Sequence, residues 1–423
     1  MGQVTKGKSK VCPLPPTGNK SGYSFQSSRK MIMSISVISI LFISTLSVNV
    51  VSESFDPETP YEFDVLLLDV DQDGNLVNRV VYNTNFQSDS APFWGKITEL
   101  TTGGYAIAGC HDSSNSTSSP EYRQLWVIRT DEDFNIVWNK TYGMTWEIRS
   151  ITEMNDGNLA IGHHIEDYTA VQTSMFQILV IDNEGEQVRE KSWLFGWLSG
   201  FSHVDDGGFI LAHEIGYTPW SSPFWIARID TDLNVVWNQT YPSFATHTDI
   251  VIDTAGGFTM PLEPGIDGPI GIARFDNIGN EISRVFTNST EIGQYLTLTQ
   301  CRNGEYLAGG PGYIIRFDGE GNLLWEKNVD FYVHGIQELS HERFVAFESA
   351  GVRENRWQYP GVYLEGFDAS GTSIWIRSVQ AAGLFVPDII SNSNGRFTIL
   401  GMLDPNYLPS VLDSFSEAET GGA

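Results

Sequence analysis

Cysteine is scarce, with three in 423 residues: Cys12, Cys110 and Cys301. Cys12 precedes a long apolar run, and the strand pattern puts the other two on different repeat units. A disulfide framework is therefore excluded, and stability must come from a packed core. Positive charge is scarce as well: 25 Lys and Arg stand against 52 Asp and Glu, a net charge of −27. Six of the basic residues lie within the first 52 positions, which contain no acid, so 19 basic residues face 52 acidic ones in the remainder. Such a surface repels phosphate backbones and argues against a nucleic-acid partner, while it suits export, a cation or a basic protein. The chain also lacks a nucleophile elbow, a kinase signature and a dinucleotide loop. Gly2-x-x-x-x-Gly7-Lys8-Ser9 has the letters of a phosphate loop but no strand before it and no helix after it.

Residues 1–30 read as a basic, unstructured tail. Residues 31–52 contain one uncharged apolar run, Met31–Val51, preceded by Arg29-Lys30 and followed by acids at Glu53 and Asp56. Its length suits either a cleaved export signal or a retained membrane anchor, and in both readings the remainder is exported. The membrane is then a partner only through this segment. Asn115, Asn139, Asn238 and Asn288 each begin an Asn-x-Ser/Thr triplet and become candidate glycan acceptors on an exported chain.

What the chain has in abundance is glycine, 41 residues, and a repeated phrase. Phe317-Asp318-Gly-Glu-Gly321-Asn322-Leu-Leu-Trp325 is one copy of an apolar strand, an Asp-led turn and a second strand. The same phrase begins at Asp71, Asp131, Asp182, Asp230, Asp276 and Asp368, and the seven copies are 60, 51, 48, 46, 42 and 50 residues apart. Periods of this size mark the blades of a propeller. Between copies run two further short strands joined by Gly-rich reversals such as Asp206-Gly-Gly208 and Asn394-Gly395. The first full unit starts near Trp94–Leu100, yet a hairpin at Phe63–Tyr82 precedes it. The last unit ends with two strands, Leu384–Ile390 and Arg396–Met402. The hairpin and that half-unit complement each other, which predicts an all-β, seven-bladed propeller of four-stranded antiparallel blades over residues 61–403. One blade would be shared between the two ends, and 404–423 would form a tail.

With tryptophan after the turn at Trp138, Trp237, Trp325 and Trp375, the units resemble the quinoprotein-like propeller repeats, related to WD40-like blades. They are also similar to the secreted propellers of archaeal and bacterial surface proteins. The resemblance implies that each tryptophan docks its blade on the next. Asn78, Arg189 and Ser283 stand at that place in the other copies, and no quinone site is matched.

In this architecture the loops between second and third strands share a face with the blade connections, and the Asp-led turns lie opposite. The loop face carries Trp220, Trp357 and Tyr359 beside acids, a composition that fits a protein or glycan ligand. The alternative is that such aromatics fill gaps between blades. Aligning the ends of the second strands places His163, His213, Glu214 and Glu263 at one rim. Imidazoles and carboxylates there would bind a metal or do acid–base work, or are satisfied polar strand ends. Asp69, Asp71 and Asp73 resemble the start of a calcium loop whose twelfth position is Val80 instead of an acid. The sequence thus points to an exported, monomeric binding or scaffold module with no assigned catalytic residue and no cofactor beyond possible calcium. An extracellular glycan or peptide hydrolase or lyase, and a membrane-tethered assembly factor, stay open.

Overall fold

In the computed structural model, the described residues are 61–403 apart from 89–94, 113–122, 168–172, 195–197, 215–222, 242–248, 255, 263–269, 288–296, 341, 350–361 and 380–383. The apolar run Met31–Val51, Trp220, Glu263, Trp357 and Tyr359 lie outside them. No helix among the described residues is long and apolar enough to cross a membrane.

The first hairpin is β1 (Tyr61–Val70) and β2 (Leu76–Ser88). Blade one is β3 (Gly95–Glu99), β4 (Tyr105–Asp112), β5 (Arg123–Thr130) and β6 (Ile136–Met144). Blade two is β7 (Glu147–Glu153), β8 (Leu159–Asp167), β9 (Thr173–Ile181) and β10 (Gln187–Leu194). Blade three is β11 (Leu198–His203), β12 (Phe209–Glu214), β13 (Phe224–Ile229) and β14 (Val235–Tyr241). Blade four is β15 (Val251–Ile252), β16 (Phe258–Leu262), β17 (Gly271–Phe275) and β18 (Glu281–Phe286). Blade five is β19 (Thr297–Gln300), β20 (Tyr306–Phe317) and β21 (Leu323–Tyr332). Blade six is β22 (Gly335–Ser340), β23 (Arg343–Ser349), β24 (Val362–Asp368) and β25 (Ser373–Val379), and the chain then adds β26 (Leu384–Ser391) and β27 (Phe397–Leu403).

These strands form seven antiparallel sheets, six of four strands and one of three, the architecture of a seven-bladed propeller. Blade five differs because Gly310-Pro311-Gly312 reverses the chain so tightly that two strands merge in β20, whose halves pair with β19 and β21. The seventh sheet joins the two ends of the array in the order β2-β1-β27-β26, with Asp64 opposite Leu403 and Val70 opposite Phe397. Seven apolar clusters accompany the seven sheets, and each draws on two neighbouring blades. One holds Phe63, Val65 and Leu67 of β1 against Ile97, Ile107 and Trp126 of blade one.

Stacking each sheet between two others explains the hydrophobic patterns. Second strands such as β16 and β27 are buried at every position, because both faces meet a neighbour. Outermost strands such as β6 and β14 alternate half-buried with exposed residues.

The Asp-led turn is built by its own side chain. In all seven copies the backbone N–H groups two and four residues on donate to one Asp oxygen, as Asp73 and Asn75 do to Asp71 at 2.9 and 2.8 Å. Hydrogen bonds from Asn135 hold the Asp131 carboxyl below the ordinary carboxylate range. The residue three after each Asp has positive φ, as in a three-residue hairpin loop with a bulge.

That position reveals how blades lock. Trp138, Trp237, Trp325 and Trp375 each donate from Nε1 to a turn carbonyl of the next blade, at 2.8, 3.1, 3.1 and 2.9 Å. Each ring also lies over that turn's glycine: a Cβ on Gly185, Gly279, Gly371 or Gly74 would approach it to 3.2, 2.8, 2.9 or 2.8 Å. Where the preceding blade has Asn78 or Arg189 instead of tryptophan, the next turn carries Phe134 or Leu233, at φ 64° and 63°. Both of these side chains are buried in the inter-blade clusters. A non-glycine residue there costs about 1 kcal/mol or somewhat more in backbone strain, which the filled space offsets. The ring and the turn side chain therefore occupy one slot in alternation. In the remaining copy, Ser283 precedes Gly321 and Arg274 supplies the filling, its Cδ 3.1 Å from where a Cβ would stand.

Candidate functional site

The second-strand rim carries the histidines. His163 on β8 lies opposite Ile148 and Gln177, is buried, and has Nδ1 3.0 Å from the Thr145 hydroxyl. That hydroxyl donates its only proton to the His164 carbonyl at 3.2 Å. Gln177, opposite His163 on β9, also brings its side chain to the ring. Burial lowers the His163 pKa from 6.5 to about 4, so the ring is neutral near physiological pH. His164 follows on the same strand, so its ring points to the opposite face of the sheet and meets Phe176 edge-on at 6.0 Å. His213 on β12 is buried opposite Leu198 and Trp225, and Glu214 ends the same strand.

The candidate calcium residues are engaged one by one. Asp69 is buried on β1 and bonds Arg396 at 2.8 Å, while burial raises its carboxyl above the ordinary range in spite of that guanidinium. Asp71 caps its turn, and Asp73 meets Arg343 at 2.5 Å. Among the described residues no group of three His, Cys, Asp or Glu side chains is placed to hold a metal ion. Two of the candidate glycan acceptors, Asn139 on β6 and Asn238 on β14, are exposed on outermost strands.

The cavity that the sequence did not reveal lies where the first strands meet. It measures about 480 Å³ and is lined by β3, β7, β11, β19, β22, β26 and the start of blade four. Register sets one level around it: Lys96 faces Ala108, Ser150 faces Gly162, Gly200 faces Ala212, Thr297 faces Gly309, Gly335 faces Phe347 and Asp388 faces Leu400. Lys96 Nζ and Asp388 Oδ1 are 3.6 Å apart, with the lysine side chain 35% exposed. Arg149 bulges from the β7–β8 ladder and meets Glu147 at 3.0 Å. Asp249 accepts from Thr297 Oγ1 and Leu298 N at 3.1 and 3.2 Å, tying blade four to blade five. The Asp388 carboxylate beside Lys96 raises the lysine pKa, and removal from bulk water raises that of Asp388. Charged residues on or just before first strands, Lys96, Glu147, Arg149, Asp249 and Asp388, were the signal available in the sequence.

The opposite rim is occupied by ties between blades. Glu153 accepts from Thr101 N and Oγ1 at 2.6 and 3.1 Å, Glu99 from Ser393 N and Oγ at 2.7 and 2.9 Å, and Glu338 from Arg302 N at 2.7 Å.

No family model matches the chain, and no curated protein does. Solved structures do match. Virginiamycin B lyase from Staphylococcus aureus is 13% identical, with 80% of this chain and 99% of that one covered and a TM-score of 0.46. The Dos1 propeller is 13% identical over 66% of this chain and 70% of that one, with a TM-score of 0.43. The WD40 domain of Pan2 from Neurospora crassa is 12% identical over 57% and 68%, with a TM-score of 0.38. The propeller architecture of this chain rests on its own seven sheets.

Proposed function

We propose that this chain is an exported binding module that holds a protein or glycan ligand on the face where its blade connections and second-to-third loops emerge. The observation that carries the reading is the use made of the opposite face. There, seven Asp-capped turns and the Glu99, Glu153 and Glu338 bonds are spent on joining blades, so the loop face is the one left for a ligand. His163, neutral above about pH 4, suits a structural role better than that of an acid–base group working near neutrality. In the same reading, pairing of β1 with β27 is a clasp that closes the ring, and calcium is not required.

The test is binding of the purified chain to glycan and peptide arrays, with Trp220→Ala, Trp357→Ala and Tyr359→Ala variants alongside. Loss of a bound ligand in these variants supports the reading. Binding that all three leave untouched removes the proposed surface. N-terminal sequencing of the exported protein distinguishes a cleaved signal from an anchor.

A further inference from the structure

The central cavity holds charges that the fold does not use up. Lys96 and Asp388 stand 3.6 Å apart, beyond the roughly 2.7–2.9 Å of a charge-assisted hydrogen bond, so the ammonium is not locked to its neighbour. The Ile97 N–H donates to Asp388 Oδ2 at 3.1 Å. Arg149 uses one guanidinium nitrogen on Glu147, while its Nε is buried with no partner. Asp249 belongs to blade four, across the ring from blades seven and one, yet its charge is felt by both Lys96 and Asp388. Two cations, Lys96 and Arg149, and three carboxylates, Glu147, Asp249 and Asp388, thus line one cavity. Gly200 lines the cavity without a side chain, and the Phe347 ring fills the space beside Gly335. A volume of about 480 Å³ falls in the range of roughly 300–1,000 Å³ common to small-molecule sites.

The charge pattern selects the ligand class. A simple anion drawn to Lys96 and Arg149 meets Asp249 and Asp388, and a simple cation meets the reverse conflict. A molecule with both signs a few bonds apart satisfies both. Phe201, Tyr332 and Phe347 at the wall offer contact for a short carbon framework.

We propose that the central cavity is a binding seat for a small zwitterion of the α-amino-acid type, with its carboxylate toward Lys96 and Arg149 and its ammonium toward Asp249 and Asp388. This seat is separate from the loop-face surface and does not depend on it.

The experiment is calorimetric titration of the full chain with a panel of free L-amino acids. Propionate and ethylamine serve as single-charge counterparts of alanine, and matching pairs serve for the others. Expected is saturable binding of at least one amino acid, with affinity lower by about tenfold or more for each single-charge counterpart. Lys96→Met and Asp249→Asn should each lower affinity to a similar extent, while Lys96→Arg retains most of it. Absence of binding across the panel overturns the proposal, as does equal binding of the single-charge compounds. The counterpart comparison uses only the wild-type chain, so it decides the matter even where a variant fails to fold. Trp220→Ala and Trp357→Ala, which test the loop face, should leave this binding unchanged.

Discussion

Replacing Trp237 and Gly279 tests whether the ring and the turn side chain share one slot. Gly279→Leu alone forces a side chain into φ +85°, with its Cβ 2.8 Å from the Trp237 ring. Strain of about 1–2 kcal/mol and overpacking of about 1–3 kcal/mol give a loss of roughly 2–5 kcal/mol. Trp237→Asn alone, which copies Asn78, removes a half-buried ring and its bond to the Asn277 carbonyl at 3.1 Å. A fully buried tryptophan costs about 3–5 kcal/mol when truncated, so half-burial plus one hydrogen bond suggests about 2–3 kcal/mol. In the double variant, leucine takes the vacated space as Leu233 does beside Arg189. The loss should then fall short of the sum of the singles by about 1–3 kcal/mol. Urea unfolding of the four proteins, read at a shared slope, measures this coupling. Additivity within about 0.5 kcal/mol would mean that the slot is not shared and refute the reasoning.

His163 has a pKa of about 4 in the fold against an ordinary 6.5. A depressed folded value contributes stability in full above pH 6.5, lost as pH falls toward 4. The amount is about 3 kcal/mol, and His163→Gln should flatten that part of the pH–stability profile; an unchanged slope would count against burial as the cause. Burial pushes the Cys301 thiol to about 12, and Cys110 is buried too. In a Cys12→Ser background, iodoacetamide should therefore label neither thiol until urea unfolds the chain, and fast labelling of the native protein would contradict the packing. Leu67 is fully buried on β1 between Val80 and Leu400. Leu67→Pro should cost about 3 kcal/mol or more and make the first hairpin susceptible to protease; stability within about 1 kcal/mol of wild type would deny the clasp its role.

The blades were legible because their punctuation is local. An Asp that bonds N–H groups two and four residues ahead shapes its turn without help from the rest of the chain, so Asp71 through Asp368 mark strand ends in the sequence alone. The strand limits followed closely: the expected first strand near 94–100 is β3 at Gly95–Glu99, and the expected last at 396–402 is β27 at Phe397–Leu403. Blade four was less legible, its first strand being described only at Val251–Ile252. The Trp–Gly alternation was written in Asn78 with Phe134 and in Arg189 with Leu233. Reading it requires pairing each unit with its successor around a ring. The central cavity was hidden for the same reason: Lys96 and Asp388 are nearly three hundred positions apart and become neighbours only when blade seven meets blade one. Of the residues picked for the loop rim, His163 and His213 proved to be buried, because second strands are covered on both faces.

The seventh sheet sets an order of events in synthesis. β1 leaves the ribosome before every other described strand and β27 after all of them, yet Asp64 must find Leu403. Until then the hairpin of β1 and β2 keeps an open edge, with Leu66, Leu68 and Val70 waiting for cover. The contact that completes the blade is also the one with the greatest separation along the chain, and such contacts are the slow ones. The other sheets draw on strands close together in the chain, but the seventh is complete only after translation has passed residue 403. A truncated product or a stalled chain would carry a sticky first hairpin, so the sheet doubles as a check that the whole array has been made.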